Sequence, residues 1–284
     1  MKVRGVCVVA VGVALAGMAG SGLAQKATSG AQPDHSETRG YFGFDKNGYP
    51  GDWFLPALHR MFAYTGFWLN DPPGMNANPW AGKRAVVRAA GFGFLILFNG
   101  RLDAQLKAGD AAALGREDGE AAVKAAEREG FPQGAVIFLD QEEGGALLAE
   151  QAAYVGVWIA GVERSGYRAG VYCSGIRVAA GPKQMSTAED VAARWPEAKL
   201  WVWNDECPPA PGCVLGKRLD PAGSGTAGAW VWQYARSPRG SEGTAACRAT
   251  YAADNGCYAP GLPQLAATWV DLDVSGRADP SGGR

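Results

Sequence analysis

Short apolar runs recur along this chain at nearly even intervals, and that rhythm constrains the fold more than any other feature. Strands are expected near Tyr41–Asp45, Phe62–Leu69, Phe92–Phe98, Ala135–Asp140, Arg168–Cys173, Lys199–Trp203, Ala229–Gln233 and Thr268–Asp273. Successive starts lie about 32 residues apart, close to the length of one βαβ unit. Helical patterns fill several gaps. Leu148, Ala152, Val155, Ile159 and Val162 step by four and three and so share one helix face. Residues 117–129 are Ala-rich with mixed charge, and weaker helices are expected at 80–90, 187–195 and 55–61. Strands alternating with helices imply a parallel sheet. Eight of them predict an α/β fold closed as a (β/α)8 TIM-type barrel, with an open doubly wound sheet as the rival. No Gly-x-Gly-x-x-Gly turn follows a strand, so nothing favours a dinucleotide site.

The domain plan follows. Residues 1–24 read as a secretory signal peptide: Lys2 and Arg4 precede an apolar stretch from Val6 to Ala19, and small residues stand before Gln25. The apolar run is short for a bilayer span, which needs about 20 residues. No stable membrane insertion is expected, and the product is expected to be secreted or periplasmic. Residues 25–39 form a polar lead-in, 40–275 the barrel and 276–284 a disordered tail. The 284-residue chain thus leaves a mature part close to the ~250 residues usual for such a barrel. The Gly-, Pro- and Ser-rich stretches 204–228 and 234–267 are expected as elaborated loops after strands six and seven.

Composition excludes several chemistries. The chain holds two histidines, and His35 lies in the lead-in, so His59 is the one left in the barrel. A Ser-His-Asp triad would have to run through it, and a histidine-rich zinc site cannot be built. The leader removes two of the 27 basic residues and none of the 28 acidic ones, leaving a mildly acidic protein. Without a basic run, a nucleic-acid groove is not expected. The chain is read as a monomer with no cofactor and no metal. An exported protein can oxidise its thiols. Cys207/Cys213 and Cys247/Cys257 each bracket one loop and are candidate disulfides, other pairings remaining open. Cys173 ends an apolar run and is expected as a buried thiol.

Acid chemistry must then come from carboxylates, and these collect at strand ends, where a parallel barrel places its active site. Asp45 ends the first run. Asp140-Gln141-Glu142 ends the fourth, before Glu143-Gly144-Gly145. Asp205 and Glu206 follow the sixth, and Asp271 and Asp273 stand on the eighth. In an extended segment, Asp140 and Glu142 share a face. Close carboxylates can split their titration so that one stays protonated. A protonated Glu suits a glycosidic oxygen, whereas Glu143 fits better as a charge at a helix N-terminus. Among ten tryptophans, Trp203 and Trp232, with Tyr172 and Tyr234, are candidates to stack on sugar rings. Gln233 is a candidate to bind sugar or to orient a carboxylate.

Tyr41-Phe42-Gly43-Phe44-Asp45, Ile137 through Gly145, Gly170-Val171-Tyr172-Cys173-Ser174 and Trp232-Gln233-Tyr234 resemble a secreted bacterial glycoside-hydrolase-like domain, domain of unknown function 1906. That domain is similar in turn to the family 25 glycoside hydrolases, muramidases that cleave peptidoglycan. The resemblance spans residues 40–275. It implies catalytic roles for Asp45, Asp140, Glu142 and Asp271, with Glu142 the proton donor. It leaves Asp273 competing with Asp271, since both can share a face. The expected partner is a peptidoglycan-like polysaccharide, with Tyr172, Trp203, Trp232, Gln233, Tyr234 and Asp273 binding it. A non-catalytic glycan-binding protein of the envelope is the alternative, and a carboxylate-held Mg²⁺ or Ca²⁺ phosphodiesterase a third reading.

Overall fold

The eight apolar runs do form strands, and the strands close on themselves. A computed structural model describes residues 40–181, 183–207, 220–235 and 270–284, with the side chains of 205–207 left undescribed. The barrel strands are β1 (Tyr41–Asp45), β2 (Tyr64–Trp68), β3 (Gly93–Asn99), β4 (Val136–Gln141), β5 (Arg168–Ser174), β8 (Lys199–Cys207), β9 (Ala229–Ala235) and β10 (Asp271–Ser275). Around the barrel they run β1-β10-β9-β8-β5-β4-β3-β2. A small hairpin, β6 (Val178–Ala180) and β7 (Lys183–Met185), follows β5 and carries no signal in the apolar rhythm. The helices are α1 (Leu55–His59), α2 (Arg84–Ala89), α3 (Asp103–Lys107), α4 (Ala111–Glu129), α5 (Ala149–Arg164) and α6 (Thr187–Arg194). The segments 208–219 and 236–269, which hold most of the two expected long loops, lie outside the described residues, as do 1–39.

One expectation needs correction. The last strand is antiparallel to both its neighbours, β1 and β9. Asp271 is therefore its first residue rather than part of its C-terminal end. It lies opposite Asp45 at the rim, while Asp273 lies deeper, opposite Gly43.

Local chemistry sets the helix ends. Asp110 caps α4 by accepting from the Ala112 and Ala113 N–H groups, and Gly130 closes it at φ 77°. α4 packs on α5 through small residues: a Cβ on Gly115 would lie 2.5 Å from the Tyr154 carbonyl oxygen. Inside the barrel, small and large residues alternate so that the lumen is filled. A Cβ on Gly43 would fall 1.9 Å from the Tyr64 ring, one on Gly66 2.7 Å from Asp45 Cβ, and one on Gly170 2.5 Å from the Phe138 ring. The glycines thus admit Tyr64, Asp45 and Phe138 to the interior. Phe67, on the outer face, meets Trp80, Phe94 and Phe131 edge-on.

Residues 276–284 are not the disordered tail expected from their composition. β3 and β4 pair only from Ile96 and Ile137 onward, and the terminal segment fills the gap below. Ser281 donates its N–H to Phe94 O (2.9 Å) and accepts from Val136 N–H at its carbonyl (2.8 Å). The Ser281 hydroxyl oxygen accepts from Ile96 N–H (3.0 Å), Asp279 accepts from Phe94 N–H (2.9 Å), and Arg84 donates to Gly283 O (2.7 Å). Ser281→Ala leaves the Ile96 N–H buried without its acceptor, so chemical denaturation should show a loss of about 1–3 kcal/mol.

Candidate active site

The upper rim collects polar side chains because inward-facing positions of successive strands fall in register. Asp140 on β4 lies between Asn99 of β3 and Tyr172 of β5, and Tyr172 lies beside Trp201 of β8. The Tyr172 and Trp201 rings meet at 4.8 Å. Across the opening, Asp45 of β1 faces Asp271 of β10. Gln233 of β9 joins the two sides. Its Nε2 donates to Asp45 (2.8 Å), with a longer approach to Asp271 (3.4 Å), and its Oε1 accepts from the Tyr172 hydroxyl (2.8 Å). Asp140 and Glu142 line a cleft of about 300 Å³, together with Pro73, Asn99, Arg101 and Leu102. Glu142 is exposed there, while Asp140 is 4% exposed.

The structure therefore brings together Asp45, Asp140, Glu142, Asp271, Tyr172 and Gln233. Trp203 sits half-buried at the same rim. Three expectations fail. Trp232 is buried on the outer face, donates to Asn204 O (2.9 Å) and is covered by Gly223. Tyr234 is buried against Phe42 and Trp232. Neither reaches the mouth, because strand alternation that turns Gln233 inward turns its two neighbours outward. Asp273 does point inward, but at 0% exposure it cannot touch a glycan. It accepts from the Trp201 indole N–H instead (2.9 Å).

Glu143 is confirmed as a helix-terminal charge, though for α3 rather than for the helix that follows it. Its carboxylate accepts from Asp103 N–H (2.8 and 3.0 Å) and from the Gln151 amide. The Thr187 hydroxyl donates to the Gly145 carbonyl (2.8 Å), with the Glu143 carbonyl at 3.2 Å. The end of β4 is thus tied to α3, α5 and α6, which fixes where Glu142 emerges. Cys173 is fully buried, and burial pushes its thiol well up, so it is not a reactive thiolate. Cys213, Cys247, Cys257 and the side chain of Cys207 lie outside the described residues.

Sequence reasoning missed one contributor. Arg101 enters the cleft held by a bidentate pair with Asp118 (2.7 Å each), which also accepts from the Tyr154 hydroxyl (2.8 Å). Its partner lies on α4, and no local pattern links them. Trp201 was legible, since it shares a face with Trp203.

Burial dominates the electrostatics. Asp45 is pushed up to about 8, first by burial and then by Asp271. Asp140 is raised by burial, Glu142 and Asp45, and Asp273 by burial, Asp45 and Asp271. Lys46 is lowered by burial, an effect opposed by Asp271.

A closed α/β barrel with carboxyls gathered at its rim has the architecture of a glycoside hydrolase-like protein. Residues 63–212, more than half of the chain, match the family of Rv2525c-like, glycoside hydrolase-like domains, and the chain belongs to that family. Among solved structures it is similar to an uncharacterized protein of B. stearothermophilus. The two are 22% identical with a TM-score of 0.55, over 83% of this chain and 96% of that one. It is also similar to the Mycobacterium tuberculosis Tat-secreted protein Rv2525c, at 12% identity and a TM-score of 0.51, over 87% and 98%. A family 25 glycosyl hydrolase from Bacillus anthracis is 12% identical with a TM-score of 0.45, over 85% and 91%. At these identities the likeness is one of fold. No curated protein matches the chain. Among the described residues, no helix is long and apolar enough to cross a membrane.

Carboxyls raised in the folded state hold protons that the unfolded chain releases above its ordinary range. Their contribution to stability is full at low pH and is lost as pH rises toward the folded value. Denaturant unfolding should show the protein losing stability between about pH 4 and about pH 8, and Asp45→Asn should remove part of that slope. A second expectation concerns Glu143. Glu143→Ala should speed amide hydrogen exchange at Asp103 by about tenfold, while Glu143→Gln, which keeps an acceptor oxygen, should speed it less.

Proposed function

We propose that the protein is an exported glycoside hydrolase that cleaves peptidoglycan or a related polysaccharide of N-acetylated sugars. The observation that carries this reading is the gathering of Asp45, Asp140, Glu142 and Asp271 around one mouth, two of them lining the cleft. Glu142, projecting into that cleft, donates its proton to the glycosidic oxygen as the bond to the leaving sugar breaks. Asp140, whose carboxyl burial raises well above the usual range, is suited to donate a hydrogen bond to a substrate oxygen such as that of an acetamido group. Asp271 faces the mouth from the opposite side, near Lys46, and is placed to stabilise oxocarbenium charge or to activate water. Asp45 holds the network through Gln233. Export rests on the leader at 1–24.

One observation favours the non-catalytic alternative. Buried carboxyls that keep their protons are also suited to bind sugar hydroxyls without turnover. The two readings separate in one experiment. Residues 25–284 should release reducing ends from purified peptidoglycan, and Glu142→Gln should slow that release by about 10²–10⁴-fold. Undiminished release by the variant removes Glu142 as the acid. Binding of N-acetylated glycans with no release by the wild-type chain overturns the enzyme.

A further inference from the structure

Asp273 is a buried carboxyl that the proposed reaction does not use. Its exposure is 0%, and the backbone register sets it opposite Gly43 on one side and Gln233 on the other. It therefore lies one layer below Asp45, on the neighbouring strand, with only Gly43 beneath Asp45 on β1. One oxygen accepts from the Trp201 indole at 2.9 Å, while the other, like the Tyr64 hydroxyl, is buried without a protein partner of the ordinary kind. Two ionised carboxylates in such contact repel, and a proton between them turns repulsion into a hydrogen bond.

We propose that Asp273 is a positioning residue: it shares a proton with Asp45 and thereby sets the direction of the chain Asp45–Gln233–Tyr172. The indole can only donate, so the Asp273 oxygen facing Trp201 is an acceptor and the proton lies on the side of Asp45. The second Asp273 oxygen, buried and without another donor, shares the inner face of the barrel with Asp45 and is where that proton resides. Asp45 accepts from Gln233 Nε2 (2.8 Å), which turns Oε1 toward Tyr172, and that oxygen takes the Tyr172 hydroxyl proton (2.8 Å). The opposite amide orientation would set Oε1 against Asp45. A tyrosine has one hydroxyl proton, so Tyr172 is left with an acceptor oxygen for the half-open mouth. A ligand there is recognised by an N–H or O–H donor, such as the amide of an acetamido sugar. This last consequence rests on the glycan reading above; the shared proton does not.

The other titratable groups that act on the pair are Asp271 on β10, Asp140 on β4, Tyr64 on β2 and Tyr172 on β5, with Glu142 beyond Asp140 and Lys46 beside Asp271.

The test needs no glycosidase activity. In the full chain labelled with ¹³C at aspartate carboxyls, the Asp45 carbon is followed against pH. In the wild type it should titrate in two steps, because each member of the pair senses the other's proton. In Asp273→Leu the Asp45 midpoint should rise by about one pH unit or more, since a donated hydrogen bond is lost and a dry wall added. Asp273→Asn, whose amide restores the donor, should bring the midpoint back. The Tyr172 hydroxyl proton should exchange slowly in the wild type and in Asp273→Asn, and rapidly in Asp273→Leu. A single Asp45 step in the ordinary carboxylate range of the wild type overturns the proposal, even if no variant folds. So does an Asp45 midpoint that is the same in all three proteins. Failure of peptidoglycan cleavage leaves both readouts intact and bears only on the enzyme reading.

Discussion

The rest of this structure depends on how the barrel closes. A ring of strands must pair its last member with its first, and here that member, β10, runs antiparallel to β1 and β9. The reversal has two consequences at opposite ends of the barrel. At the rim, it brings the beginning of β10, Asp271, beside Asp45. At the floor, it delivers the chain after Ser275 to the lower ends of β3 and β4, where residues 279–283 satisfy backbone groups that the splayed strands leave unpaired. A parallel last strand would send the following residues out at the rim and would leave those N–H groups without partners. Carboxyl cluster and floor plug are thus products of one choice of strand direction.

Packing then decides the electrostatics. Gly43, Gly66 and Gly170 let Tyr64, Asp45 and Phe138 into the lumen, and Trp201 fills the space beside them. A filled lumen excludes water, so a carboxyl beneath the rim loses its hydration and holds its proton. Burial is the leading cause for each of Asp45, Asp140 and Asp273. The same side chains that stabilise the barrel by apolar burial therefore also tune the mouth. The partial offsets are visible as hydrogen bonds: Gln233 on Asp45 and Trp201 on Asp273 favour the charged forms and moderate the effect of burial.

Much of this was legible in the chain, for physical reasons that also mark where legibility ends. Eight apolar runs of strand length at even spacing reflect a requirement of the whole fold, so they locate every barrel strand. The direction of β10 is not encoded in its apolar pattern, which reads equally well both ways, and the long segment before it can serve either direction. The tail 276–284 looks disordered because it is small and polar. Its order comes from partners on β3 that are 185 positions away, and from Val136 on β4. Arg101 was hidden for the same reason, since Asp118 reaches it from another element. Trp232 and Tyr234 were misplaced although alternation contained the answer: neither can face the mouth with Gln233. Asp140 and Glu142 line one cleft, as their i, i+2 relation implies, because that relation is local.

The competition between Asp271 and Asp273 shows how position assigns chemistry to identical side chains. Two residues apart on one strand, they share a face, and the spacing alone treats them as equivalent. The antiparallel direction ranks them by depth. Asp271 meets the opening with Lys46 near it, where a ligand can reach it. Asp273 is sealed behind it, with an indole on one oxygen and Asp45 in contact. A residue that no ligand reaches acts on the mouth only through those it touches. The chain from Asp273 through Asp45 and Gln233 ends at Tyr172, beside Asp140. The two walls of the mouth, one built by β1 and β10 and the other by β4 and β5, are therefore joined by a polar chain whose donors and acceptors have fixed direction.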